Sequence, residues 1–165
     1  MDLFILRHAE AGKRIPVSSR DAERSLTAEG LEELQDVAKA LARLKIEPDR
    51  IVASPLNRSR ETAVEVAKAL KVKKKVELWD ELKPEGNKNE FFKRLSKLGP
   101  EAVVIAIGHE PYLTEAINEA MGHSGSPRIL FRKCGLARLS IKSFVPKIDG
   151  ELRWLLTPRL LKRMS

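Results

Sequence analysis

A single cysteine, Cys134, stands among the 165 residues. One thiol cannot form an internal disulfide, so the fold has to be held by its core. No apolar run approaches the ~20 residues of a membrane-spanning helix. The N-terminus also lacks the basic stretch and long apolar segment of a secretory signal. These absences suit a cytoplasmic protein. Aromatic residues make up only 5%, too few for the stacking surfaces with which proteins grip unpaired bases. Internal repeats, low-complexity tracts and Ser/Gly-rich linkers are missing. The length suffices for one domain with a real core but not comfortably for two. A single domain over residues 1–165 is therefore expected.

What is present is charge. Charged residues make up 33% and hydrophobic residues 42%, a globular composition. The formal net charge is +8. Such a balance either draws nucleic acid through counterion release or reflects a charge-rich surface with a lysine excess. The second reading is preferred, because Lys71, Lys73, Lys74 and Lys75 crowd one loop and aromatics are scarce. Under both readings the positive charge favours an anionic substrate.

Hydrophobic patterning predicts an α/β fold. Leu3-Phe4-Ile5-Leu6, Ile51-Val52-Ala53 and Ala102 to Ile107 read as short buried strands. Val76-Glu77-Leu78 is a weaker one. Glu10 to Ser25, polar and holding Gly12 and Pro16, reads as a loop. A helix follows with Thr27 as N-cap, Glu29 in its first turn, and Leu31, Leu34, Ala38, Leu41 and Leu44 as its apolar stripe. A second helix is expected over Pro55 to Leu70, with Ser54 as cap and Pro55 at its first position. Leu82 to Gly86 reads as a turn, Asn87 to Leu98 as a short helix, Pro111 to Met121 as another, and Gly122 to Pro127 as a loop. Leu136 to Val145 and Leu152 to Leu156 flank Asp149-Gly150, a strong hairpin-turn signal. The expected architecture is a three-layer α/β/α domain with a mostly parallel central sheet and an antiparallel C-terminal hairpin.

Chemistry-bearing residues gather at the ends of these strands. Arg7-His8 ends the first, Ser54-Pro55 with Arg58 just beyond ends the second, and Gly108-His109 ends the run from Ala102. In open α/β sheets, ligands bind outside the carboxyl ends of the strands. Arg58 falls in the first turn of a helix and His109 immediately precedes another. Helix N-termini offer unpaired N–H groups and a positive dipole end to phosphate, and arginine adds planar, charge-assisted bonds. A histidine among such cations is biased toward its neutral, nucleophilic form. The residues thus point to phosphoryl transfer by covalent catalysis, with one histidine attacking.

Other phosphoryl-transfer chemistries fail on the sequence. There is no Gly-x-x-x-x-Gly-Lys-Ser/Thr loop. Ser140 stands where a cysteine phosphatase would carry its arginine, six residues after Cys134, and no Asp-x-Asp pair occurs. His8, His109 and His123 form no paired-ligand motif, so neither metal nor cofactor is expected. His123 reads as a surface residue or else a substrate-rim residue, and Trp79 and Trp154 as packing.

Six blocks run in order along nearly the whole chain. They are Leu6-Arg7-His8-Ala9-Glu10; Asp21-x-x-Arg24-x-Leu26-Thr27-x-x-Gly30; Ser54-Pro55-x-x-Arg58 with Glu61-Thr62-Ala63; Glu81-Leu82-x-Pro84-x-Gly86; Gly108-His109-x-Pro111-x-Leu113; and Gly135-Leu136-Ala137. This series resembles the histidine phosphatase superfamily, with its phosphoglycerate-mutase-like fold, and within it the small SixA-type phosphohistidine phosphatases. Ala9 departs from the glycine usual in that signature, which is tolerable where φ need not be positive.

The resemblance implies that His8 is the phosphorylated nucleophile and that Arg7, Arg58 and His109 complete the phosphate pocket. It aligns Glu81 with the proton-donating carboxylate of larger members; a plain loop carboxylate beside Asp80 is the other reading. Arg24 either reaches phosphate or pairs with Asp21, the pairing being favoured. Only 51 positions separate Arg58 from His109, which leaves little room for an inserted lid. An open pocket suits phosphate presented on a protein and suits a mutase poorly, since a mutase must exclude water. The leading expectation is a cofactor-independent phosphatase acting on phosphohistidine in a protein, such as a histidine phosphotransfer domain. A phosphatase of small phosphate esters or nucleotides is the alternative, and a non-catalytic nucleic-acid-binding protein the least favoured reading.

Overall fold

In the computed structural model, residues 1–13, 18–73, 76–123 and 129–165 are described, those at 18 and 19 by backbone alone. Pro16, Lys74, Lys75 and positions 124–127 of the expected loops lie outside them. The order is β1 (Asp2–Arg7), α1 (Ser18–Ala22), α2 (Ala28–Arg43), β2 (Arg50–Ala53), α3 (Asn57–Ala69), β3 (Glu77–Leu78), a 3₁₀ turn (Asp80–Leu82), α4 (Lys88–Ser96), β4 (Val103–Gly108), α5 (Tyr112–Ala120), β5 (Leu136–Ser143), β6 (Asp149–Leu156) and α6 (Pro158–Arg163).

Alternation along the central strands divides the interior in two. Leu3, Ile5, Val52, Val104 and Ala106 face one core, which α4 and α5 cover with Phe91, Leu95, Leu113 and Ile117. Phe4, Leu6, Ile51, Ile105 and Ile107 face the other, closed by Leu34, Val37 and Leu41 of α2, Val66 of α3 and Leu161 of α6. Strands that are apolar on both faces need cover on both, and the helices divide accordingly. The sheet runs β3-β2-β4-β1-β5-β6, parallel from β3 to β1 and antiparallel at β5 and β6. This is the expected three-layer architecture. None of the described helices is long and apolar enough to cross a membrane.

Several local expectations need correction. The segment from Glu10 to Ser25 is not all loop, since α1 lies within it. Helix α3 begins at Asn57 rather than Pro55: Ser54 accepts the Leu56 N–H at 3.4 Å, making a turn that defers the helix. In α2, Leu31 is 37% exposed, while Val37 and Ala40 join the buried stripe. The hairpin turn is not at Asp149-Gly150, because both lie in β6, with Asp149 opposite Ser143 and Gly150 opposite Ile141. The turn spans residues 144–148 instead. Gly150 answers to close approach: a Cβ there would sit 2.8 Å from Ile141 Cδ1, beside an irregularity of the ladder. Trp79 is buried and Trp154 packs on Phe4, as expected, while His123 is exposed.

Candidate active site

Parallel register brings three strand ends to one edge. Arg7 pairs with Gly108, and Ala53 with Ile107. His8, Ser54 and His109 each follow by one residue, so all three emerge together. The His8 N–H donates to Gly108 O (3.1 Å) and the Ser54 N–H to Ile107 O (3.0 Å), which locks the exits against one another. The imidazoles of His8 and His109 lie with centroids 4.9 Å apart. His8, His109 and Arg58 are 5%, 2% and 4% exposed, forming a sunken floor.

Each side chain has an identifiable holder. His8 Nδ1 lies 2.6 Å from Ala9 O. A carbonyl oxygen only accepts, so Nδ1 carries the proton and Nε2 keeps its lone pair when the ring is neutral. Ser59 Oγ is 3.2 Å from His109 Nε2. Arg7 Nη1 donates to Phe131 O at 2.7 Å. Arg58 Nη1 donates to Asp21 O at 2.8 Å and lies 3.3 Å from the Asp21 carboxylate. Thr62 Oγ1 donates to Arg58 O (2.7 Å) and accepts the Ala9 N–H (3.2 Å), joining α3 to the segment after β1. Gly135 O accepts the Arg7 N–H. A Cβ on Gly135 would press to 2.7 Å from Arg132 O and 2.9 Å from Phe131 Cδ2, so glycine lets this turn pack against the Phe131 ring.

Arg24 meets the expected Asp21 pairing, with Nε 3.1 Å from Oδ1. Its Nη1 also donates to Gly12 O at 2.8 Å, and its charge is near enough to His109 to disfavour protonation there. Glu81 is gripped through both oxygens by Arg94 Nη1, at 3.2 and 3.1 Å. Arg94 in turn stacks 4.2 Å over Trp79. The α5 terminus differs from expectation. The helix starts at Tyr112, three residues past His109, and the Glu110 carboxylate already accepts the Thr114 N–H (3.1 Å) and hydroxyl (2.5 Å). That end of the dipole is satisfied internally. Burial holds the Glu110 carboxyl above its ordinary range although Arg7 is near.

Both imidazoles are held neutral. Burial is the main cause for His8, pushed down to about 3, with the charges of Arg58 and Arg7 adding to it. His109 is lowered chiefly by burial and then by His8, Arg58, Arg24 and Arg7. Desolvation thus outweighs the cations that the sequence brought to notice. Among the described residues, Arg7 Nε and His109 Nδ1 are buried without a hydrogen-bond partner. A buried cluster with an unspent arginine donor beside an unprotonated nitrogen can receive an oxyanion and offer it a nucleophile. No three described His, Cys, Asp or Glu side chains converge as a metal-ligand set. Cys134 is buried with its thiol pushed up to about 12, which disfavours thiolate chemistry.

Sequence reasoning missed the Arg58–Asp21 pair, Ser59, and the carbonyl of Phe131. Thr62 lay inside a quoted block without a role. The linkage has a consequence for stability. Unfolded, the two imidazoles protonate near pH 6.5; folded, His8 resists down to about 3 and His109 down to about 2. As pH falls through that window, protons favour the unfolded chain by about 1.4 kcal/mol per pH unit per histidine. The unfolding midpoint should therefore drop steeply below pH 6.5 in wild type and less steeply in a His8→Gln/His109→Gln variant. An equal slope in both would assign the acid sensitivity to other groups.

Comparison with known proteins identifies the family. The family model "Histidine phosphatase superfamily (branch 1)" matches residues 3–85. The phosphohistidine phosphatase SixA of Escherichia coli is 28% identical over 164 residues, covering 98% of this chain and 97% of that protein. An uncharacterised protein of Picosynechococcus sp. is 30% identical over 168 residues, covering 98% and 99%. The solved structure of the protein histidine phosphatase SixA complexed with tungstate superposes with a TM-score of 0.83 at 27% identity, covering 96% and 98%. Matched from end to end by these relatives and over its first half by the family model, the chain belongs to branch 1 of the histidine phosphatase superfamily, as a SixA-type member.

Proposed function

We propose that the protein removes phosphate from phosphohistidine in a protein, through a phosphorylated His8. The observation that carries this is the 2.6 Å contact of His8 Nδ1 with Ala9 O, which leaves Nε2 unprotonated on a ring that feels the charges of Arg58 and Arg7. Phosphorus enters among Arg7, Arg58 and His109, with Arg24 contributing charge from behind. The Nε2 lone pair forms the N–P bond while the P–N bond of the substrate breaks, its electron pair leaving with the substrate imidazole. Water then attacks phospho-His8, releasing inorganic phosphate and restoring the imidazole. Arginine and histidine donors hold the equatorial oxygens as charge shifts across them. No residue of this scheme needs a metal.

Phosphohistidine is favoured over an ester by what Glu81 touches. A departing alkoxide needs a proton, whereas imidazole protonated on its other nitrogen leaves readily. Both Glu81 oxygens accept from Arg94, so donation would require breaking that pair. The test is a panel of phosphoproteins and small phosphate esters, run with wild type and Glu81→Gln. Higher kcat/KM on a phosphohistidine-bearing phosphotransfer domain, with little loss in Glu81→Gln, is expected. Preference for small esters, with equal large losses on both substrate kinds, would promote the small-ester reading instead.

A further inference from the structure

Four exposed cations stand beside the site, each on a different segment and each adjacent in sequence to a residue that holds a site side chain. Lys13 follows Gly12, whose carbonyl accepts from Arg24. Arg20 precedes Asp21, whose carbonyl and carboxylate hold Arg58. Arg60 follows Ser59, the partner of His109. Arg132 follows Phe131, whose carbonyl accepts from Arg7. Their backbones therefore neighbour the residues that hold the site, although they come from the segment after β1, from α1, from α3 and from the approach to β5, and Arg60 Nη2 rests on Asn57 Oδ1 at 3.1 Å.

None of the four forms an ion pair among the described residues, whereas Lys39, Lys68, Lys88 and Lys142 elsewhere on the surface are each matched by a carboxylate. Leu130 directly precedes Phe131, the residue whose carbonyl holds Arg7. It is 70% exposed. The neighbouring rings that could stack on a base are sequestered, with Phe131, Tyr112 and Trp79 all buried. Cations around a lone exposed aliphatic anchor suit a protein face better than a nucleic acid, which asks for accessible rings.

We infer that this rim docks an acidic face of the phosphorylated protein, with Lys13, Arg20, Arg60 and Arg132 opposite its carboxylates and Leu130 against an apolar residue beside the phosphohistidine. The inference rests on the phosphohistidine-protein reading, since a small ester has no surface to span the rim. Rim charges act mainly on encounter rate and on salt dependence.

The experiment compares the full chain, the variant Lys13→Gln/Arg20→Gln/Arg60→Gln/Arg132→Gln, and Leu130→Ser. Substrates are a phosphohistidine phosphotransfer domain of net negative charge and an aryl phosphate, each across a salt series. The fourfold variant should lose about tenfold or more in kcat/KM on the phosphoprotein, with a flattened salt dependence. Its aryl phosphate hydrolysis should be unchanged, which also shows that it folds. Leu130→Ser should lose activity on the phosphoprotein while keeping the wild-type salt slope. Unaltered phosphoprotein turnover in the fourfold variant, or equal losses on both substrates, would overturn the docking surface and leave the function intact. Wild type that hydrolyses the ester but not the phosphoprotein would overturn the functional reading, and the docking surface with it. Salt-sensitive oligonucleotide binding, lost in the fourfold variant and indifferent to Leu130→Ser, would reassign the rim to nucleic acid.

Discussion

Replacing His8 by alanine should lower kcat on the order of 10⁴-fold or more, the scale on which removal of a covalent nucleophile is felt. The wild type, quenched during turnover with labelled substrate, should carry an acid-labile, base-stable phosphoryl group, as expected for a phosphorylated imidazole. His8→Ala should carry none. The reasoning is geometric. Of the two buried imidazoles, His8 has its Nδ1 committed to Ala9 O, leaving Nε2 as the unprotonated nitrogen. His109 instead has Nε2 shared with Ser59 and Nδ1 buried without a partner. His8 is also held neutral down to about pH 3, so protonation of the nucleophile should not set an acid limb near pH 6.5. Label that persists in His8→Ala would move the nucleophile to His109.

Arg58→Ala should cost on the order of 10²–10³ in kcat/KM, the usual effect of losing one preorganised donor to a transition-state oxyanion. Arg58→Lys should recover little, because an ammonium cannot reproduce the planar fork that arginine presents to phosphate. The same substitution unbalances Asp21, whose carboxylate lies between Arg58 and Arg24 at 3.3 and 3.1 Å. Asp21 then keeps Arg24 as its partner, so Arg58→Ala should unfold at somewhat lower denaturant concentration, by less than the full cost of an unpaired buried charge. Near-wild-type kcat/KM in Arg58→Ala would remove Arg58 from the site, with its exposed neighbour Arg60 next to be tested.

Much of this site was legible because strand ends are a local property. Leu3 to Leu6 and Val103 to Ile107 are apolar on both faces, and each run stops at a glycine or a charged residue followed by histidine. The departure at Ala9 proved harmless for the same local reason: among the described non-glycine residues, positive φ occurs at Lys45, Lys71 and Cys134, not at Ala9. The hairpin turn was misplaced because Asp-Gly signals either a turn or a close approach. Only the neighbouring strand, here Ile141, distinguishes them.

The sequence by itself determined the partition of the sheet into two cores, the parallel strands with helices between them, and the emergence of Arg7, His8 and His109 at one edge. Each follows from periodicity and from the termination of apolar runs, which depend on neighbours a few positions away. Only the tertiary structure decided which nitrogen of His8 is bare, that Glu110 rather than a ligand satisfies the start of α5, and that Arg94 holds Glu81. It also decided that Asp21 holds Arg58 across 37 positions and that the Phe131 carbonyl holds Arg7 across 124. The physical reason is the range of the determinant. A side chain's hydrogen-bond partner and its desolvation depend on which distant loops the packed core brings together, and no local pattern of residues carries that information.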